Sequence, residues 1–474
     1  MTDTTSTTQA TPATLSGRIA TWVTALRYED LPEEVVERTK LLILDQLGLQ
    51  LRGATLPNVQ PVLRLADSEP GKAEATLAHS GARTTVSQAA WVNGTLGHSA
   101  EYDDAHPLAW HTNSAVIPAA LALAERTNAS GPDLITAVVA GIQVMGLLGA
   151  ATPTMVTIGW HGSKVLGVYG AAAAAGRILS LTPAHLVNAF GIAGSDAGGG
   201  MEYDKSGGEV KRLHAGSACR SGLEAAELAQ LGLTGPPTIL EGPRGLLRLF
   251  SDGGHVEALN AVWDRWLVLD TIVRFYPSVA TNHAPLDAIR QLRTKDDIKP
   301  ADVARIRVGL VDFAVGHGAS ITRPVDAISA QFSLAFSIGL QFITGHNPTS
   351  DYFDADRRTD PEILAIGDLV EPYPMPIPEG DPIFSAKVDI ELKDGTTYSA
   401  YQAGFRGHPS HPATETDVGQ KFRDNIEGLI STDRADALVA LVNGLQTQDS
   451  VAPVTALLGV DARRDGLHRS SETA

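Results

Sequence analysis

Between residues 86 and 193 the chain passes through five segments of helical periodicity, 86–96, 115–126, 132–148, 165–179 and 183–193. They are crowded with Ala and Gly, and aromatic residues make up only 5% of the sequence. Helices this apolar must bury most of their surface against other helices. Their small side chains let the axes approach closely, so a tightly packed helical body is predicted. Asn128, Gly131 and Gly232 punctuate the segments. An earlier helix starts at Pro32-Glu33-Glu34, places Val36, Ile43, Leu44, Leu47 and Leu51 on one face, and stops at Gly53. Helices are also expected at 216–231 and 256–267. No strand is expected before about residue 268.

The pattern then changes. Residues 304–311 and 385–392 alternate polar and apolar side chains, which is the period of a half-buried strand. Asp394-Gly395 lies between the second run and the β-prone 397–400, a strong hairpin signal. Residues 326–344 read as a buried helix, and 418–425 and 435–445 return to helix. At 474 residues, two domains are the prior. The expected fold is mainly α. A large all-helical domain is assembled from 16–269 and 405–460, and a smaller α+β domain, 270–404, is inserted into it. Residues 1–15 and 461–474 are expected to be flexible tails.

A formal net charge of −17 argues against nucleic acid or an anionic membrane as the main partner. It does not exclude an anionic small molecule, since a local cationic pocket can sit in an acidic protein. The one cysteine, Cys219, excludes an intrachain disulfide. The N-terminus shows no basic region followed by an apolar one, and no run approaches 18 uninterrupted apolar residues. A cytoplasmic protein without a membrane partner is the expectation.

The chemistry is concentrated in His98-Ser-Ala-Glu-Tyr-Asp-Asp-Ala-His-Pro-Leu-Ala-Trp-His111, where three imidazoles and three carboxylates fall within 14 residues. Burying so many titratable groups between two apolar segments is costly without a purpose, so the run reads as an active-site loop. Further candidates are His161 at a Gly-flanked turn, the Gly-rich 194–200, Lys211-Arg-Leu-His214, and Arg274-Phe-Tyr276-Pro with Asn282-His283. Arg274 can hold a carboxylate through two parallel hydrogen bonds, and Lys211 can serve as a point charge or proton donor. His111 and His161 can move protons near neutral pH. Together these groups suit an anionic polycarboxylate, with proton abstraction next to a carboxylate and the resulting charge held by fixed cations. Taken singly, His98 reads as a structural hydrogen-bonding residue, Asp103 and Asp104 as caps, His106 as solvated, and Lys211 and Arg274 as ordinary charged groups. The Gly-rich segment matches no nucleotide-binding pattern.

Several blocks resemble the MmgE/PrpD family, which includes 2-methylcitrate dehydratase, cis-aconitate decarboxylase and iminodisuccinate epimerase. They are Glu37–Gly48, Asn93-Gly-Thr-Leu-Gly-His98-Ser-Ala-Glu-Tyr-Asp-Asp104 with His111, Gly159-Trp-His161, Lys211-Arg-Leu-His214-Ala-Gly, and Arg274-Phe-Tyr276-Pro with His283. The resemblance covers roughly residues 16–460. It implies the helical domain and inserted lid described above, a homodimer, no metal or organic cofactor, and an active site between the domains. By position it implies active-site roles for His111, His161 and Lys211. Glu101 stands where many members have Asp, Arg274 where many have Lys, Ala105 where a hydroxyl is common, and Thr112 where Pro follows the histidine. Arginine binds a carboxylate but is a poor general acid, because its pKa is far too high.

The expected function is therefore a cofactor-independent lyase acting on a di- or tricarboxylate, 2-methylcitrate dehydratase-like. His111, His161, Lys211, Asp104 and Glu101 are its candidate catalytic groups. Arg274, Lys211, Tyr276, Asp103, His106 and His283 are candidate binding groups. An epimerase or a decarboxylase on a similar acid is the alternative. A metal-dependent hydrolase using His98, Asp103, Asp104, His106 and His111, or a non-catalytic binding protein, ranks lower.

Overall fold

The computed structural model describes residues 14–203 and 207–461. Two main apolar cores organise them. The larger gathers the helices from Leu15–Ala25 to Lys211–Gln230 and also takes in Glu415–Ile426 and Thr432–Asn443 from the C-terminal segment. Gly131–Ala150 runs through its centre. Its length and composition match a membrane span, but its side chains are buried among neighbouring helices. Lys421 of the C-terminal segment is itself buried. Its ammonium pairs with Asp45 at 2.7 Å and donates to the Tyr102 carbonyl at 2.9 Å, fixing that segment to the histidine-rich loop.

The second core lies among His283–Asp296, Leu334–Thr344 and a four-stranded sheet. The sheet order is Val370–Pro374, Val303–Leu310, Ala386–Leu392, Thr397–Gln402. The first pair is parallel and the other two are antiparallel. The last two strands form the expected hairpin, with Gly395 at φ +88° in its turn.

Several elements differ from the sequence expectation. Val370–Pro374 was not anticipated, because Pro372 and Pro374 argue against a strand. It forms at the sheet edge, where a missing N–H is tolerated. Two short strands, Ala75–Thr76 and Arg83–Thr84, pair before residue 268, too brief to show alternation. The helix expected over 326–344 breaks into Ala327–Gln331 and Leu334–Thr344. Ser333 is extended there, and its hydroxyl accepts from the Phe336 N–H, capping a new helix. Leu15–Ala25 and Gln60–Ser68 are additional helices. Of the expected tails, only Thr14, Leu15 and Asp461 are among the described residues, and Thr14 already caps a helix.

Gly216 was read as a helix start, yet the helix begins at Lys211 and Gly216 lies inside it. There it meets the helix Val86–His98: a Cβ at Gly216 would run into the Trp91 carbonyl and the Thr95 hydroxyl, and across from it a Cβ at Gly94 would lie 2.8 Å from the Gly216 Cα. Gly216→Ala is expected to destabilise the protein by about 1–3 kcal/mol through overpacking, measured by urea unfolding. The helix entrance that carries Lys211 should shift with it.

Candidate active site

Residues 99–112 link the helices Val86–His98 and Asn113–Thr127. Glu101 and Trp110, near the two ends, hold φ of +52° and +62°, a left-handed conformation that costs a side-chain-bearing residue on the order of 1–2 kcal/mol. The loop is pinned from inside. The Asp104 carboxylate accepts from the Thr112 N–H at 2.6 Å, the Thr112 hydroxyl at 2.8 Å and the Asn113 N–H at 3.0 Å. Ala105 exchanges backbone hydrogen bonds with Ile272, which carries the following Arg274 against the loop. The His161 N–H donates to the Gly199 carbonyl at 2.9 Å, joining the third region. Gly159, at φ +103°, makes the turn that delivers His161.

These constraints bring four imidazoles together. Ring centroids are 4.6 Å apart for His98 and His111, 5.8 Å for His98 and His161, 5.9 Å for His111 and His161, and 5.1 Å for His161 and His214. His98 Nδ1 donates to Asp103 at 2.8 Å, and His111 Nδ1 donates to the Asp104 carbonyl at 2.7 Å. Each neutral ring then keeps a bare nitrogen. His161 Nδ1 meets His214 Nδ1 at 2.9 Å. His98 Nε2 and His161 Nε2 are buried without a partner among the described residues. Burial, with Lys211 close by, holds His161 well below the ordinary imidazole value. Burial likewise takes His111 down to about 3 and His214 to about 4. The rings are therefore neutral at physiological pH and can accept protons.

Beside them lies an ion cluster centred on Glu101. Its carboxylate pairs with Lys211, with Arg212 at 2.8 Å and with Arg274 at 3.0 Å. Arg274 also pairs with Asp103 at 2.6 Å, donates to the Asp103 carbonyl, and reaches within 3.5 Å of His111. Burial alone would raise the Glu101 carboxyl, but Lys211, Arg274 and Arg212 outweigh it and hold it well below its ordinary value. Burial draws Lys211 down to about 8, against the pull of Glu101. Lys211 opens its helix, whose positive end works in the same direction. Asp104 is pushed up to about 7 by burial and the neighbouring Asp103, despite its three donors.

Gln331, from the second core's side, closes the cluster. It accepts from Arg212 at 2.8 Å and donates to the Ala100 carbonyl at 2.7 Å. The neighbouring Phe332 ring lies 5.4 Å from the Lys211 ammonium. Every side chain in the cluster is buried.

Of the sequence candidates, Glu101, Asp103, Asp104, His111, His161, Lys211 and Arg274 converge. The other three are engaged outside the cluster, although His283 Nε2 and Arg274 donate to the same Ser278 carbonyl. His106 donates to the Leu267 carbonyl at 2.9 Å and accepts from the Leu108 N–H at 3.1 Å, so both ring nitrogens brace the loop. The Tyr276 hydroxyl turns to Asp287 at 2.8 Å. His283 packs between the rings of Tyr276 and Phe405. Four contributors stand outside the catalytic and binding sets expected for the lyase: His98, Arg212, His214 and Gln331. The first three sit in or beside quoted motifs, whereas nothing local marks Gln331.

One ring nitrogen from each of His98, His111 and His161 lies within 4.8 Å of the other two, the donor set that could hold a metal ion. It differs from the set read for a metal hydrolase, since Asp104 and His106 are consumed by backbone contacts. The cations Lys211, Arg212 and Arg274 alongside oppose a divalent ion electrostatically.

Comparison with known proteins places the chain. Residues 17–259 match the MmgE/PrpD N-terminal domain and residues 276–447 match the MmgE/PrpD C-terminal domain. The chain belongs to the MmgE/PrpD family. Among its relatives is the cis-aconitate decarboxylase of Homo sapiens, 28% identical over 454 residues, covering 93% of each chain. The cis-aconitate decarboxylase of Aspergillus terreus is 28% identical, covering 94% of this chain and 96% of the relative. That of Mus musculus is 27% identical over 91% of each.

Proposed function

We propose that the protein is a cofactor-independent lyase that releases carbon dioxide from an unsaturated di- or tricarboxylate. The observation that carries this reading is the convergence of four neutral imidazoles with Lys211, Arg212 and Arg274 in one buried cluster. The activity named for the relatives supports decarboxylation ahead of the dehydratase-like outcome expected from the motifs.

The chemistry asks for two things. Fixed cations must hold the carboxylates that stay, and a proton must reach carbon as the carboxylate leaves. In a β,γ-unsaturated acid such as cis-aconitate, the departing carboxylate's bonding pair forms a new double bond. The old double bond's far carbon then takes a proton. Arg274 and Arg212 hold carboxylates, and Lys211, poised near 8, donates the proton. His111, with its Nδ1–H fixed on the Asp104 carbonyl, and His161 relay protons. Glu101, Asp103 and Asp104 position these groups; His106, Tyr276 and His283 support the surrounding walls. Entry requires the unit bearing Gln331 and Phe332 to open as a lid, and we place that motion within a homodimer.

Purified protein is expected to release carbon dioxide from cis-aconitate faster than it dehydrates 2-methylcitrate or citrate, or inverts iminodisuccinate. Dehydration or inversion without carbon dioxide release contradicts the proposal. Because the ammonium form of Lys211 is needed, kcat/KM should fall as pH rises through about 8. A pH–rate profile checks this; an alkaline limb that survives unchanged in Lys211→Arg contradicts the role.

A further inference from the structure

We propose that Lys164 receives a substrate carboxylate that Lys211, Arg212 and Arg274 do not hold, which makes the site selective for a tricarboxylate over a dicarboxylate. That role rests on the functional reading above and narrows its substrate class.

The cations of the cluster are already shared. Glu101 pairs with Lys211, Arg212 and Arg274, and Asp103 takes a second share of Arg274. A substrate carboxylate must compete with these residents. Serving every carboxylate of a tricarboxylate there would strip Glu101 and Asp103 of their partners and leave buried charges uncompensated.

Lys164 is an uncommitted cation beside the rings. It follows His161 by three residues, in the short helix Gly162–Val165, and its N–H donates to the His161 carbonyl at 3.0 Å. Its stem runs along the Gly-rich segment. A Cβ at Gly199 would lie 2.9 Å from Lys164 Cβ, 3.0 Å from Lys164 Cγ and 3.2 Å from His214 Cε1. Lys164 and His214 are thus neighbours across Gly199, and His214 Nδ1 meets His161 Nδ1 at 2.9 Å. The lysine's charge acts on the His214 ring. The side chain is half-buried, yet its ammonium makes no hydrogen bond or ion pair with a described residue. Asp196 is the opposite charge acting on it, without pairing, and Arg220 is a like charge. Withdrawing an ammonium from water without a partner is unfavourable, and an arriving carboxylate supplies that partner. There is room for one: a Cβ at Gly198 or at Gly200 would meet nothing within 4 Å. The lack of side chains on this segment keeps that space open.

The test is binding calorimetry of the wild-type protein and Lys164→Met with propane-1,2,3-tricarboxylate, glutarate and methylsuccinate. Relative to the tricarboxylate, glutarate lacks the central carboxylate and methylsuccinate lacks a terminal one. The variant should bind the tricarboxylate about 10- to 100-fold more weakly, the range set by one hydrogen bond to a charged group. At least one dicarboxylate, the one without the carboxylate that Lys164 holds, should bind both proteins alike, which also shows that the variant is folded. With cis-aconitate the loss should fall mainly on KM, since the contact is the same in the ground state and the transition state. Equal weakening of all three ligands, or an unweakened tricarboxylate, overturns the inference alone. No binding of any of the three to the wild-type protein contradicts the functional reading and takes this inference with it.

Discussion

Replacing Lys211 by methionine is expected to lower kcat for cis-aconitate by roughly 100- to 10,000-fold, the range spanned by positioned acid–base groups. The ammonium is buried, opens the helix Lys211–Gln230, and is tuned to about 8. Within this cluster Asp104, pushed up to about 7, is tied to three donors of its own, which leaves the Lys211 ammonium as the group free to donate a proton at neutral pH. The neighbouring rings are already deprotonated, and the two guanidiniums hold their protons too tightly. The fold should survive, because Glu101 keeps Arg212 and Arg274. Lys211→Arg separates the two duties of the side chain: it keeps the charge, so KM should change little, but it cannot donate, so kcat should fall nearly as far. Steady-state kinetics of both variants measures this. A full-rate Lys211→Met enzyme would remove the residue from the mechanism.

Glu101→Gln is expected to be among the most damaging single substitutions for stability. It leaves Lys211, Arg212 and Arg274 buried around a neutral amide. Breaking a buried charge cluster by deleting one partner costs about 3–5 kcal/mol. Urea unfolding measures the loss. Glu101→Asp keeps the charge and should recover most of the stability. Because the folded-state carboxyl lies well below 4.5, its stabilising contribution is complete above that value. It is lost as pH falls further and the carboxyl protonates. Acid unfolding of the wild-type protein should therefore set in below about pH 4.5, and earlier in Glu101→Asp, where the shorter arm loosens the pairs.

Much of this site is legible in the sequence, and the limits are physical. The 98–111 run stands out because clustered titratable groups among apolar segments are costly, whereas Lys211 and Arg274 read singly as ordinary charged groups, and the family resemblance raises them and His161. Within that run His98 reads singly as a structural hydrogen-bonding residue, because in one dimension it is one polar residue at the end of an apolar helix. Only the packing shows its ring against His111. Gln331 contacts Arg212 across 119 residues of chain, a separation that no local spacing encodes. His106, Tyr276 and His283 carry suitable chemistry, but backbone and core contacts use it. In the fold, the Asp394-Gly395 turn was unambiguous, since its left-handed φ demands that chemistry. The edge strand Val370–Pro374 was hidden by its prolines.

The most direct test is a crystal structure with propane-1,2,3-tricarboxylate bound. The predicted result is a carboxylate held by Lys211 and Arg274 or Arg212, with Glu101 displaced from at least one of them and a ring nitrogen of His111 or His161 facing the ligand's carbon chain. A ligand seated instead in the open groove lined by Arg290, Lys295, Arg406 and His411, with the Glu101 pairs intact, would contradict the account.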